Sequence, residues 1–111
     1  AVPLKYLEDN YSPLVAPHKA INDANYTVAF NDYIIGYSAI STNRTVTLPD
    51  SVCVQGKFFI ILDESGNAGV GKSIIIDPEG STPIVGVPTY NLQGSYNSVY
   101  VFCGNNAWFI L

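Results

Sequence analysis

Gly66-Asn67-Ala68-Gly69-Val70-Gly71-Lys72-Ser73, followed by Ile74-Ile75-Ile76-Asp77-Pro78, is the stretch on which the fold turns. Its first eight residues satisfy the phosphate-loop pattern G-x-x-x-x-G-K-[ST] at each required position. In a working phosphate loop the Gly-rich turn runs straight into an α-helix, whose unpaired N–H groups hold the phosphates. Three consecutive isoleucines are stiff at χ1 and favour a strand, and Pro78 would break a helix within its second turn. The preceding run, Lys57-Phe58-Phe59-Ile60-Ile61-Leu62-Asp63, is equally strand-like. Glu64 to Lys72 therefore reads as the Gly- and Asn-rich loop of a β-hairpin, with nucleotide binding through it kept as an alternative.

Outward from that loop the period stays at two. Tyr26, Val28 and Phe30 alternate with Thr27 and Ala29, and Asn31-Asp32 turns the chain into Tyr33-Ile34-Ile35-Gly36-Tyr37. Arg44 to Leu48 puts Val46 and Leu48 on one face and its threonines on the other, so it reads as a half-exposed strand that Pro49 ends. The continuous apolar runs Lys57 to Leu62 and Ser73 to Ile76 suit central strands covered on both faces. Pro83 to Gly86 and Thr89 to Gln93 are short and read as edge segments. Ser98 to Cys103, the turn Gly104-Asn105-Asn106 and Ala107 to Leu111 carry a hairpin signature, with Trp108 as a core anchor. About eight or nine short strands without a helix-period segment predict an all-β, antiparallel sandwich or barrel over residues 26–111. Residues 1–25, punctuated by Pro3, Pro13 and Pro17, read as an extended N-terminal arm or linker to a shaft.

The chain has 111 residues, 48 % of them hydrophobic and only 13 % charged, with a formal net charge of −4. That is one domain, and apolar enough that part of its surface is expected to meet another subunit. Without a Lys/Arg cluster it lacks a nucleic-acid footprint, and no apolar run approaches the roughly 20 residues that span a bilayer as a helix. Neither nucleic-acid binding nor membrane insertion is expected.

Cys53 and Cys103 are too far apart for a Cys-x-x-Cys motif, and His18 stands between Pro17 and Lys19 in a polar segment, so neither metal nor cofactor is expected. Cys103 reads as a small buried hydrophobe in preference to a disulfide partner of Cys53, with the disulfide kept as the alternative. Asp63/Glu64 and Asp77/Glu79 fall at strand ends, where capping explains them better than the paired carboxylates of a glycosidase would. Asp63 and Asp77, facing each other across a hairpin mouth, keep a cation site as an alternative. No catalytic residue is assigned.

Several segments resemble a small β module of tailed-bacteriophage tail-fibre, spike and appendage proteins. They are Asp32-Tyr33-Ile34-Ile35, Thr45 to Pro49, Gly56 to Ala68, the Ser-Tyr-x-Ser-Val-x-Val stretch at Ser95 to Val101, and the terminal Gly104-Asn105-Asn106-Ala107-Trp108-Phe109-Ile110. The two cysteines depart from its pattern. The resemblance implies a C-terminal head or knob domain within a homotrimer on a virion, non-enzymatic, attaching the particle to a host-surface receptor, in particular a polysaccharide. Sugar sites use aromatic faces and amide groups, which nominates the loop residues Tyr90, Tyr96, Asn97, Asn105 and Asn106 as ligand contacts. The alternative is a purely structural module that trimerises or caps a viral fibre.

Overall fold

The computed structural model describes residues 15–111 and divides their strands between two sheets. β1 (His18–Asn22), β3 (Ile34–Ala39), β5 (Phe58–Asp63), β8 (Ser98–Gly104) and β9 (Ala107–Ile110) lie side by side in that order as sheet A. β2 (Tyr26–Thr27), β4 (Arg44–Leu48), β6 (Ile74–Pro78) and β7 (Tyr90–Leu92) form sheet B. One 3-10 turn, Asp50–Val52, follows β4. The all-β class is therefore as expected.

The topology differs from the expected antiparallel sandwich or barrel. From β1 to β6 the chain changes sheet at every step, so β1, β3 and β5 pair parallel in sheet A and β2, β4 and β6 pair parallel in sheet B. The backbone winds as a flattened coil. Only β7, β8 and β9 run against their neighbours, and both sheets are consequently mixed. The predicted hairpin at Glu64 to Lys72 falls with this, because β5 and β6 belong to different sheets. Its local chemistry misled: an Asn- and Gly-rich loop between two apolar runs looks the same whether the chain returns beside itself or crosses the roughly 10 Å to a facing sheet. A small ladder does close the tip of the loop, where Gly69 and Lys72 exchange backbone hydrogen bonds around Val70-Gly71.

The strands alternate as their residues dictate. Phe59, Ile61 and Asp63 of β5, Val99, Val101 and Cys103 of β8, and Ile35 and Tyr37 of β3 point between the sheets and are buried. Val46 and Leu48, Ile74 and Ile76, and Leu92 answer them from sheet B. Parallel register stacks like on like: Ile35 lies beside Ile61, and Val46 beside Ile76. Each aliphatic side chain moved from water into this layer contributes about 1.5–3 kcal/mol. Trp108 closes the core at one end, fully buried, with its ring centre 5.9 Å from that of Phe59.

Three further expectations change. Cys53 and Cys103 form a disulfide, with Cα atoms 5.2 Å apart. Antiparallel pairing of β5 with β8 sets Phe58 against Phe102, and Gly56 donates to the carbonyl of Cys103, which folds the Cys53 turn back onto the strand end. His18 opens a strand, β1, and so lies in sheet A. The predicted arm at 1–25 lies outside the described residues as far as residue 14; within its remainder, His18–Asn22 is an edge strand, so the sheets begin before Tyr26.

Candidate functional site

Asp63 organises one end of the molecule. It ends β5, is 1 % exposed, and directs both carboxylate oxygens into the loops that follow β5 and β7. Ser65 donates to Oδ1 through its amide (3.0 Å) and its hydroxyl, while the amides of Ala68 (3.1 Å) and Tyr96 (3.2 Å) donate to Oδ2. Burial works to raise this carboxyl, but the hydrogen bonds from Ser65, Ala68 and Tyr96 outweigh it and hold its pKa below the ordinary 3.8.

The same device recurs at other corners. Asp32 accepts from the Ala29 amide (2.8 Å), Asp50 from the amides of Ser81 (2.9 Å) and Thr82 (3.0 Å), and Asp23 from the Ser41 amide (2.9 Å) and the Arg44 Nε (3.0 Å). Capping is thus the work of these acids. Asp63 does not face Asp77 across a hairpin mouth, since the two belong to different sheets and Asp77 lies beside Thr47 in sheet B. Among the described residues no group of three or more His, Cys, Asp or Glu side chains is placed to hold a metal ion.

Asp63→Asn is expected to destabilise the domain by about 1–3 kcal/mol at pH 7, because an amide nitrogen at the Oδ2 position cannot accept from Ala68 and Tyr96. The folded-state pKa lies below the unfolded one, so this stabilisation is present above the unfolded value of 3.8 and is lost as pH falls through the folded value. Urea midpoints of the two proteins should therefore differ at pH 7 and converge under acid conditions. A constant difference across that range would assign the effect to packing.

Above this carboxylate sits Tyr96, one of the predicted contacts. Its side chain is 70 % exposed and lies over Gly66, where there is no room for a β-carbon, while the Ser95 hydroxyl donates to the Gly66 carbonyl. Tyr96 has φ of 57°, a left-handed conformation that costs a bulky L-residue free energy and is held here by the hydrogen bond that its N–H donates to Asp63 Oδ2. Val70, at the tip of the phosphate-loop-like segment, is 94 % exposed, and strand β6 follows where a nucleotide site would require a helix.

The other nominated residues lie elsewhere. Asn105 and Asn106, with φ of 49° and 58°, form the exposed two-residue turn between β8 and β9. The seven residues of β8 separate that turn from Tyr96, which at about 3.3 Å per residue is more than 20 Å. Asn97, beside Tyr96, spends its amide oxygen on the Ser98 N–H (2.9 Å). Tyr90 stands half-buried in β7 and packs against the core. The structure brings Tyr96 and Asn97 together and leaves Asn105 and Asn106 apart from them, with Tyr90 held in β7 of sheet B.

Two features escaped the residue-by-residue reading. His18 Nε2 and Glu64 Oε1 meet at 2.9 Å across β3, in the space that Gly36 leaves open. Lys57 is only 7 % exposed: its ammonium donates to the Asp32 carbonyl at 2.6 Å and lies 3.5 Å from the ring centre of Tyr33, with Phe59 and Phe30 at 4.7 and 5.4 Å. Burial lowers its pKa, and the Asp32 charge opposes that shift. The available signal was a lone cation opening an apolar strand, which must find aromatic or carbonyl partners if it is buried. Comparison of the chain with protein-family models, with curated proteins and with solved structures finds no match.

Proposed function

We propose that the chain is a non-enzymatic domain at the end of a viral surface appendage, of the tailed-phage fibre or spike kind that its motifs resemble. In this reading it is homotrimeric and attaches the virion to a host-surface polysaccharide. The observation that carries the reading is a coil with one open and one closed end. Among the described residues no strand pairs with the outer edges of β1 and β2, whereas at the other end β7, β8 and β9 reverse direction and the 83–87 turn pairs with the outer edge of β9. Stacked coils require such a terminal cap, and a free edge suits continuation into a longer rod.

Attachment is supported by Tyr96, an exposed aromatic held in a costly backbone conformation on a rigid carboxylate anchor. The second reading, a purely structural cap, is favoured by the distance between Tyr96 and the Asn105-Asn106 turn, which denies the nominated contacts a common patch. A bacterial-polysaccharide array probed with the purified protein separates the two. Binding that Tyr96→Ala abolishes while the melting temperature holds supports attachment. An empty array with an intact trimer leaves the structural cap, and a monomer removes both.

A further inference from the structure

The two sheets present opposite chemistry to their surroundings. The outward positions of sheet B are Thr27, Thr45, Thr47, Ile75, Asp77 and Asn91, a polar surface with one aliphatic side chain. Those of sheet A include Ile34 on β3, Phe58, Ile60 and Leu62 on β5, Tyr100 and Phe102 on β8, and Phe109 on β9. The rows run unbroken across the strands, Ile34 beside Ile60 beside Tyr100, and Phe58 beside Phe102 beside Phe109. Their rings are already ordered: Phe58 stacks on Tyr100 with centres 5.2 Å apart, and Phe102 on Phe109 at 5.3 Å. Among the described residues, the hydrogen-bonded His18 and Glu64 stand at the rim of this face.

A strand buried on both faces reads as a continuous hydrophobic run, and β5 is such a run, yet the described residues bury only one of its faces and leave the other half-buried. We infer that the outer face of sheet A is the surface on which copies of this chain pack against one another. This rests on the homotrimer reading above and names the surface it would use.

Area and shape favour a second copy as the occupant. Five strands about 4.8 Å apart, each about six residues long, make a face of roughly 24 by 20 Å. Covering two such faces removes about 1,000 Å² from water, near the lower bound of a specific interface. The partner must itself offer a largely apolar sheet of the same size, and another copy does so by construction. Three faces of this width around an axis would each stand about 7 Å from it, a gap that phenylalanine and tyrosine side chains fill. Between chains of net charge −4, the contact also joins the part of the surface where repulsion is least.

The test is light scattering on the full chain at micromolar concentration. The wild type should have three times the 12.0 kDa chain mass. Ile60→Glu, which would bury a charge in the contact, should weaken association by about a hundredfold or more and give a folded monomer by circular dichroism. Thr45→Glu, on the outer face of sheet B, should leave the mass unchanged. Should Ile60→Glu fail to fold, Tyr100→Gln reads the same effect at a residue that is 37 % exposed and points away from the core. A trimer that survives folded Ile60→Glu or Tyr100→Gln overturns this face and leaves the trimer standing. A dimer dissolved by those substitutions keeps the face and overturns the trimer, and a wild-type monomer overturns both.

Discussion

Trp108→Ala is expected to leave the domain at or beyond the edge of unfolding, with a loss of about 3–5 kcal/mol. The ring is fully buried, packs against Phe59 and sits opposite Cys103, where β9 meets the capped end of the stack. Its backbone is equally committed, donating to the Pro83 carbonyl and accepting from the Val85 amide, so the 83–87 turn leans on the same residue. Against a typical total stability of about 5–15 kcal/mol, a cavity of that size is a large fraction of the whole. Trp108→Phe separates two contributions. The buried indole N–H has no hydrogen-bond partner, and removing such a group recovers part of what the smaller ring gives up. Urea denaturation should therefore rank wild type above Phe and Phe well above Ala. An alanine variant with the wild-type midpoint would show that this ring does not anchor the core.

Reducing the Cys53–Cys103 bond should cost a similar amount. The link spans 50 residues of sequence, and closing a loop of that length in the unfolded chain corresponds to about 4 kcal/mol in the chain-entropy model. It ties the turn after Asp50–Val52 to the end of β8, across the segment that contains β5, β6 and β7. Denaturation with and without dithiothreitol should show the loss in the wild type. The Cys53→Ala/Cys103→Ala double variant should be weakened to a comparable extent and be indifferent to reductant. A wild-type midpoint unmoved by reduction would mean that strand pairing alone holds that turn.

Local chemistry was legible in the sequence and strand partnership was not. The β8–β9 hairpin could be read because Gly104-Asn105-Asn106 supplies left-handed backbone positions between two alternating segments. Arg44–Leu48 showed its buried face in the alternation of Val46 and Leu48 with threonine. Trp108 revealed itself by its place in a terminal apolar run. Nothing local distinguishes a parallel coil from an antiparallel sandwich, since the pairing of Ile34 with Ile60 is decided by where the intervening sheet-B strand takes the chain. The disulfide was hidden for the same reason, because Cys53 approaches Cys103 only through the register of β5 on β8. At the candidate site Tyr96 was nominated for its exposure, whereas its anchor, Asp63, was read only as a strand-end acid. Asn105 and Asn106 were grouped with Tyr96 on composition, and the length of β8 separates them.

The coil also acts as a ruler. Each turn of the chain lifts it by one strand spacing, about 4.8 Å, whatever the turn contains. The turn from His18 to Ile34 is far shorter than the turn from Ile34 to Ile60, yet both climb by a single strand. Height is therefore counted in whole coils, and residues added at a corner widen the outline without raising it. A lineage or a designer can enlarge the corner loops, including the one beneath Tyr96, while every level of the stack stays where it was. To lengthen the object by one step, an entire two-strand coil must be inserted.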